Sequence, residues 1–281
     1  MLVFYPRPNM SAEELVLPQR VIDSIERHVL GIAGTRERLR SSRQHIKRGL
    51  LLHGPPGTGK THTVRYLMSR TPDHTVILLT GGGLHMIRPA VGLARVLQPC
   101  IVVCEDVDLV AQDRGAYPAQ NNPALFEMLN VIDGIEEDAD VAFILTTNRA
   151  DLLEPALAAR PGRVDLALEI PLPDAESRRR LLGLYGRGLS LDMQDLDSVI
   201  ERTDGVTASC IKELMRKSAL IAALDSLGEG AISVDDADVT RALDEMLDEE
   251  NALTQVLLGR PRPGAREDDR PGTAWLRHQN P

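Results

Sequence analysis

Cysteine is scarce in this sequence: three occur among 281 residues, Cys100 and Cys104 inside one apolar run and Cys210 by itself. No CxxC or Cys/His spacing suits a structural zinc, so the three read as reduced, structural thiols. Basic charge is also short. A formal net charge of -9 and a pI near 5.3 exclude a global positive field for nucleic acid or anionic membrane, leaving room only for a local basic patch. Long apolar runs are missing too. Nothing approaches the ~20 residues of a membrane span, and the run Leu2 to Tyr5 is too short, and lacks the basic flank, for a signal peptide. A soluble cytoplasmic protein is the expectation. What is present, 43% hydrophobic and 26% charged residues, suffices for a real core and fits one large domain plus a small one. No internal repeat is visible.

Along the chain, Val21, Ile22, Ile25 and Val29 follow Pro18 at helical spacing until Gly31 and Gly34 break the pattern, which predicts a linker helix. From Leu50 the pattern changes to short apolar runs of strand length: Leu50 to His53, Thr75 to Thr80, Cys100 to Cys104 and Val141 to Thr146. Helical stretches lie between them, around residues 60 to 70, 84 to 97 and 123 to 133. Continuous apolar strands alternating with helices indicate a parallel sheet covered on both faces. Val164, Leu166, Leu168 and Ile170 add a strand of strict period two, ended by Pro171 and Pro173. Beyond Pro173 no strand pattern is left, and Asp174, Thr207 and Ser233 each suit a helix N-cap. The expected class is therefore α/β, a parallel-sheet core with helices on both faces followed by a small all-helical domain. Its boundaries fall at 1–47 for an N-terminal linker with one helix, 48–172 for the core, 173–250 for the helical domain and 251–281 for a disordered tail.

Gly54-Pro55-Pro56-Gly57-Thr58-Gly59-Lys60-Thr61 fits G-x-x-x-x-G-K-[ST], directly after one predicted strand and before a helix. Glycines are needed because successive backbone N–H groups must come close enough to face phosphate oxygens at a helix N-terminus. Lys60 is placed to neutralise the β and γ phosphates, and the Thr61 hydroxyl to help hold magnesium. A Gly/Pro-rich turn that happens to contain lysine is the bland alternative, and the flanking strand and helix argue against it.

An enzyme of this kind ends a second strand in an acid near the metal, because magnesium keeps several waters and takes few protein ligands. The run Cys100 to Asp108 supplies Glu105 at the metal-shell position and Asp106 at the water-activating position. A solvated acidic loop is the competing reading.

With these two motifs in place, the stretch from about Arg48 to Leu220 resembles an AAA ATPase of the broader AAA+ group. Leu145-Thr146-Thr147-Asn148 is similar to the family's sensor-1 strand, so Asn148 is expected to orient the lytic water. Pro155 to Asp165 resembles the segment carrying arginine fingers, placing Arg160 and Arg163 toward the γ phosphate of an adjacent subunit. Asp204 to Ser209 resembles the lid segment, with Ala208-Ser209 where the family has Gly-Ala; Ala208, and His62 after the phosphate loop, join the nucleotide-binding residues. Many relatives carry the acids as Asp then Glu. The order Glu-Asp, with Arg48-Gly49-Leu50-Leu51-Leu52, is similar to the branch that includes mitochondrial Rieske-protein assembly translocases.

The resemblance implies ATP and Mg2+ as cofactors, ATP hydrolysis, and a homo-oligomeric ring, hexameric by family expectation, acting on a protein client. A nucleotide-gated scaffold with little turnover is the alternative; a DNA-associated AAA+ protein is disfavoured by the acidic balance. Gly81 to Ile87, where unfoldases carry a pore-loop aromatic, has none. Leu84 and Met86 could contact polypeptide, or Leu84, Ile87 and Val91 could form the buried face of a helix. His85 reads as a surface histidine, and Ser177-Arg178-Arg179-Arg180 as a solvated helix face.

Overall fold

The computed structural model describes residues 3–32, 34–109, 123–151, 153, 164–226 and 230–247. The chain forms two compact units, one made of the chain up to Gly54 with Lys60–Ile170, the other of Pro55–Gly59 with the chain from Pro171.

In the first unit a 3-10 turn at Ala12–Glu14 precedes helix α1 (Gln19–Val29), which buries Val21, Ile25 and Val29. A short helix α2 (Arg36–Ser41) follows. Then come β1 (Arg48–His53), α3 (Lys60–Arg70), β2 (Thr75–Thr80), α4 (Ile87–Val96), β3 (Cys100–Glu105), α5 (Pro123–Asp133), β4 (Val141–Thr147) and β5 (Leu166–Glu169). The five strands pair in the order β2-β3-β4-β1-β5, and every pairing is parallel. The apolar runs have this form because both faces are covered. Leu50, Leu52, Ile101, Val103, Ala142 and Ile144 share one cluster with α1 and α3, while Leu51, Val102, Cys104, Phe143 and Leu145 share another with α4 and α5. Successive residues of each strand thus go to opposite faces, as the pleat requires.

Gly81–Met86 forms a 3-10 turn that leads into α4. Leu84, Ile87 and Val91 are buried there, His85 is exposed and Met86 is 46% exposed. The helical-face reading therefore holds for this segment. Cys100, Cys104 and Cys210 are free and buried.

A charged pair sits inside this unit. Arg48 is 3% exposed and donates to Asp140, itself 2% exposed, at 2.9 Å; Arg36 reaches the same carboxylate at 2.5 Å.

The second unit contains α6 (Ala175–Tyr185), β6 (Ser190–Asp192), α7 (Leu196–Arg202), α8 (Ala208–Asp225), β7 (Ser233–Asp235) and α9 (Asp236–Leu247). Asp174 caps α6 by accepting from the Ser177 N–H at 2.8 Å, and Thr207 caps α8 through the Cys210 N–H at 3.3 Å. Helix α8 packs on α6 and α9. Three sequence expectations change here. The segment is not wholly helical: β6 and β7 pair in parallel, Leu191 opposite Val234. These strands are three residues long and five of their six residues are exposed, so they carry no alternation to read. Ser233 accordingly lies in a strand, and it is Asp235 that receives the Ala237 and Asp238 N–H groups at 2.9 and 3.0 Å. Arg178 is not solvated: it is 5% exposed and pairs with Asp204 at 3.0 Å. The tail expected to be disordered, 251–281, lies outside the described residues.

Among the described residues no helix is long and apolar enough to cross a membrane.

Candidate functional site

Strand β1 ends at His53 and α3 begins at Lys60, so the glycine-rich segment is the turn between a strand and a helix N-terminus. Its glycines are required by the backbone. Gly54, Gly57 and Gly59 have φ of +142°, +79° and +113°, conformations L side chains rarely adopt. A Cβ on Gly54 would also stand 2.4 Å from the Ile170 carbonyl oxygen. Within the turn the Thr58 hydroxyl donates to the Pro55 carbonyl at 2.9 Å. The Gly57 carbonyl accepts from the Ser209 N–H at 3.0 Å, one residue beyond Ala208, which opens α8.

Lys60 is 6% exposed and its ammonium donates to the Gly54 carbonyl at 2.8 Å. Burial pushes its pKa down to about 8, against the opposing pull of the Asp106 and Asp108 carboxylates. Thr61 is exposed, and His62 is half-buried with Nε2 3.0 Å from the Glu14 carbonyl oxygen.

The acids lie where β3 ends. Glu105 is its last residue, and Glu105 Oε1 is buried with no hydrogen-bond partner. Asp106 follows with φ of +52° and gives its N–H to the Thr146 hydroxyl at 3.0 Å. Its Oδ1 accepts from the Asn148 amide at 3.3 Å. The structure thus brings Asp106 and Asn148 together and places Lys60 within the field of Asp106 and Asp108. Arg160 and Arg163 lie outside the described residues.

Sequence reasoning missed Asp108. It is 4% exposed, and its Oδ1 accepts from the Thr147 hydroxyl at 2.8 Å and the Asn148 N–H at 3.1 Å. The signal available was spacing alone: an acid two residues past Asp106 at the end of an apolar run.

Residues 50–172 match the family described as "ATPase family associated with various cellular activities (AAA)". The chain carries an AAA ATPase module. Relatives of the module include the "ATP-dependent zinc metalloprotease FtsH 3" of Synechocystis sp., 34% identical over 215 residues, which cover 72% of this chain and 34% of that protein. The "26S proteasome regulatory subunit 8 homolog" of Schizosaccharomyces pombe is 32% identical over 62% of this chain and 47% of its own length. The "26S proteasome regulatory subunit 6B homolog" of Saccharomyces cerevisiae is 37% identical, covering 62% of this chain and 44% of its own. The chain thus spans roughly a third to a half of the length of these relatives.

ATP and Mg2+ are the nucleotide and cation of an AAA module, and the residues present fit both. A Cβ on Gly59 would meet nothing within 4 Å, so this glycine leaves open space beside the helix N-terminus that follows, which favours an anion. For the cation, the buried Glu105 oxygen is an acceptor lacking a donor, which a hydrated Mg2+ would satisfy, and the Thr61 hydroxyl is open to solvent.

Proposed function

We propose that this chain binds and hydrolyses ATP as a ring oligomer, six copies by family expectation, and uses the cycle to remodel a protein client. The observation that supports hydrolysis, rather than binding alone, is the Asn148 amide resting on Asp106. An amide in that position has no task in holding phosphates. It orients a water beside a carboxylate that can take its proton.

In this reading the N–H groups of the glycine-rich turn and the Lys60 ammonium bind the phosphates, and Pro55, Pro56, His62 and Ala208 are the further nucleotide-binding residues that the family resemblance implies. Glu105 and Thr61 would hold Mg2+, which when bound offsets charge on the phosphate oxygens. Asn148 orients the attacking water, and Asp106 accepts its proton as the water oxygen bonds to the γ phosphorus and ADP departs. An aspartate reaches less far than the glutamate usual at this position, so turnover is expected to be slow. Arg160 and Arg163 supply positive charge to the nucleotide of the neighbouring copy. The relatives' names, an ATP-dependent protease and proteasome regulatory subunits, support a polypeptide client.

A second reading, a nucleotide-gated scaffold, draws support from Leu84. Buried at 3% exposure, it leaves Met86 as the apolar side chain its segment offers a polypeptide.

Steady-state phosphate release against protein concentration separates the two. The shared-site enzyme shows specific activity that rises with concentration and collapses in Arg160→Ala while ATP still binds. Activity equal in an isolated monomer rules the shared site out, and binding without turnover at any concentration leaves the scaffold.

A further inference from the structure

We infer that Asp108 is a positioning residue for hydrolysis: its carboxylate fixes the turn after β4 so that the Asn148 amide stays on Asp106. The inference rests on the ATPase reading above and deepens it.

Asp108 is 4% exposed, and a carboxylate so deeply buried is costly unless donors surround it. Both donors recorded on its Oδ1 come from consecutive residues, the Thr147 hydroxyl at 2.8 Å and the Asn148 N–H at 3.1 Å. The Thr147 oxygen in turn accepts the Arg149 N–H at 2.9 Å, so residues 147 to 149 are all tied, directly or through one hydroxyl, to a single carboxylate oxygen. The same two strand ends are laced a second time, where Thr146 takes the Asp106 N–H on its hydroxyl at 3.0 Å and the Val107 N–H on its carbonyl at 2.9 Å.

The margin at the Asn148 amide explains why such lacing matters. At 3.3 Å from Asp106 Oδ1 the contact is already near the outer limit of a hydrogen bond. A backbone shift of a few tenths of an ångström at residue 148 would lose it, and misplacements of ~1 Å in supporting groups can cost about a hundredfold in rate. Asp108 contacts the backbone that carries Asn148 rather than the side-chain amide, so its effect falls chiefly on the chemical step, with a smaller one on nucleotide affinity through its charge near Lys60.

The test compares Asp108→Ala and Asp108→Asn for kcat, KM and nucleotide dissociation constant, with thermal melting as the fold control. Asp108→Ala is expected to lower kcat by about tenfold or more while the dissociation constant stays within about threefold. Asp108→Asn keeps an acceptor oxygen and should recover most of the loss. Should Asp108→Ala not fold, Thr147→Val, which removes the hydroxyl at similar volume, should give the same split, with Thr147→Ser close to wild type. Wild-type kcat in Asp108→Ala or, failing that, in Thr147→Val overturns the role. So does equal damage to kcat and binding, or Asp108→Asn as impaired as Asp108→Ala. A wild-type chain releasing no phosphate at any concentration is a different failure: the ATPase reading itself falls and takes this role with it.

Discussion

The Asn148 amide donates to Asp106 at 3.3 Å, and the aspartate that receives it is held in a left-handed backbone conformation with φ of +52°. An ordinary L side chain costs about 1–2 kcal/mol in that region and aspartate less, and the position is the one proposed to activate water. A pair of substitutions separates strain from chemistry. Asp106→Gly and Asp106→Ala both remove the carboxylate and should both abolish phosphate release. Glycine alone accepts the positive φ, so Asp106→Gly should be the more stable of the two by about 1 kcal/mol in chemical denaturation. Equal stabilities would mean that the backbone relaxes once the carboxylate is gone.

Much of the fold and part of the site were legible in the sequence, for identifiable reasons. Strands such as Cys100–Glu105 and Val141–Thr147 are buried on both faces, so an uninterrupted apolar run announces them. The glycine-rich turn announces itself because its backbone angles leave few residue choices. What escaped was tertiary. Nothing local marks Arg48 and Asp140, 92 residues apart, as a buried pair, and a lone acid at 108 gives no sign that it receives two donors from the end of another strand. The pairing of Ser190–Asp192 with Ser233–Asp235 escaped because exposed three-residue strands have no pattern.

Lys60 gives ATP affinity a pH dependence with a definite sign. Burial lowers its pKa to about 8, so in the nucleotide-free chain the ammonium is lost as pH rises through that value. Phosphates favour the charged form, so binding above pH 8 requires proton uptake. Affinity should therefore fall with rising pH, by at most about tenfold per unit, between the free and bound pKa values. Calorimetry in buffers of different ionisation enthalpy should register the uptake at pH 8.5 and much less at pH 7. Lys60→Arg, always charged, should bind with a flatter profile.

Three histidines set a limit on acid stability. His28, His53 and His74 all have pKa values lowered from 6.5, each chiefly by burial. For His74 the positive charges of Arg48, Arg36 and Arg7 add to the lowering and Asp140 opposes it. A histidine with a depressed folded-state pKa stays neutral in the native chain while the unfolded chain takes up a proton. Its contribution is complete above about pH 6.5 and is lost as pH falls toward the folded-state value. The melting temperature should accordingly drop between pH 7 and pH 5.5. His74→Phe, which cannot titrate, should make that drop shallower; an unchanged slope would assign acid sensitivity to other groups.

The Arg48–Asp140 pair predicts an asymmetry between breaking a buried ion pair and replacing it. Arg48 gives Nη1 to Asp140 at 2.9 Å and to the Ile46 carbonyl at 3.0 Å, and Nη2 to the Val29 carbonyl at 3.3 Å. Burial lowers its pKa and Asp140 opposes that, so the carboxylate is what keeps a guanidinium tolerable there. Asp140→Ala leaves that charge uncompensated and should cost about 3–5 kcal/mol in urea denaturation. Arg48→Met combined with Asp140→Leu removes both charges at similar volume. Arg36, whose side chain is 26% exposed, can then turn to water. The double variant should recover at least half of the stability lost in the single one, because the penalty comes from the unpaired charge and not from absence of the pair. Losses that simply add would instead place the cost in packing around residues 48 and 140.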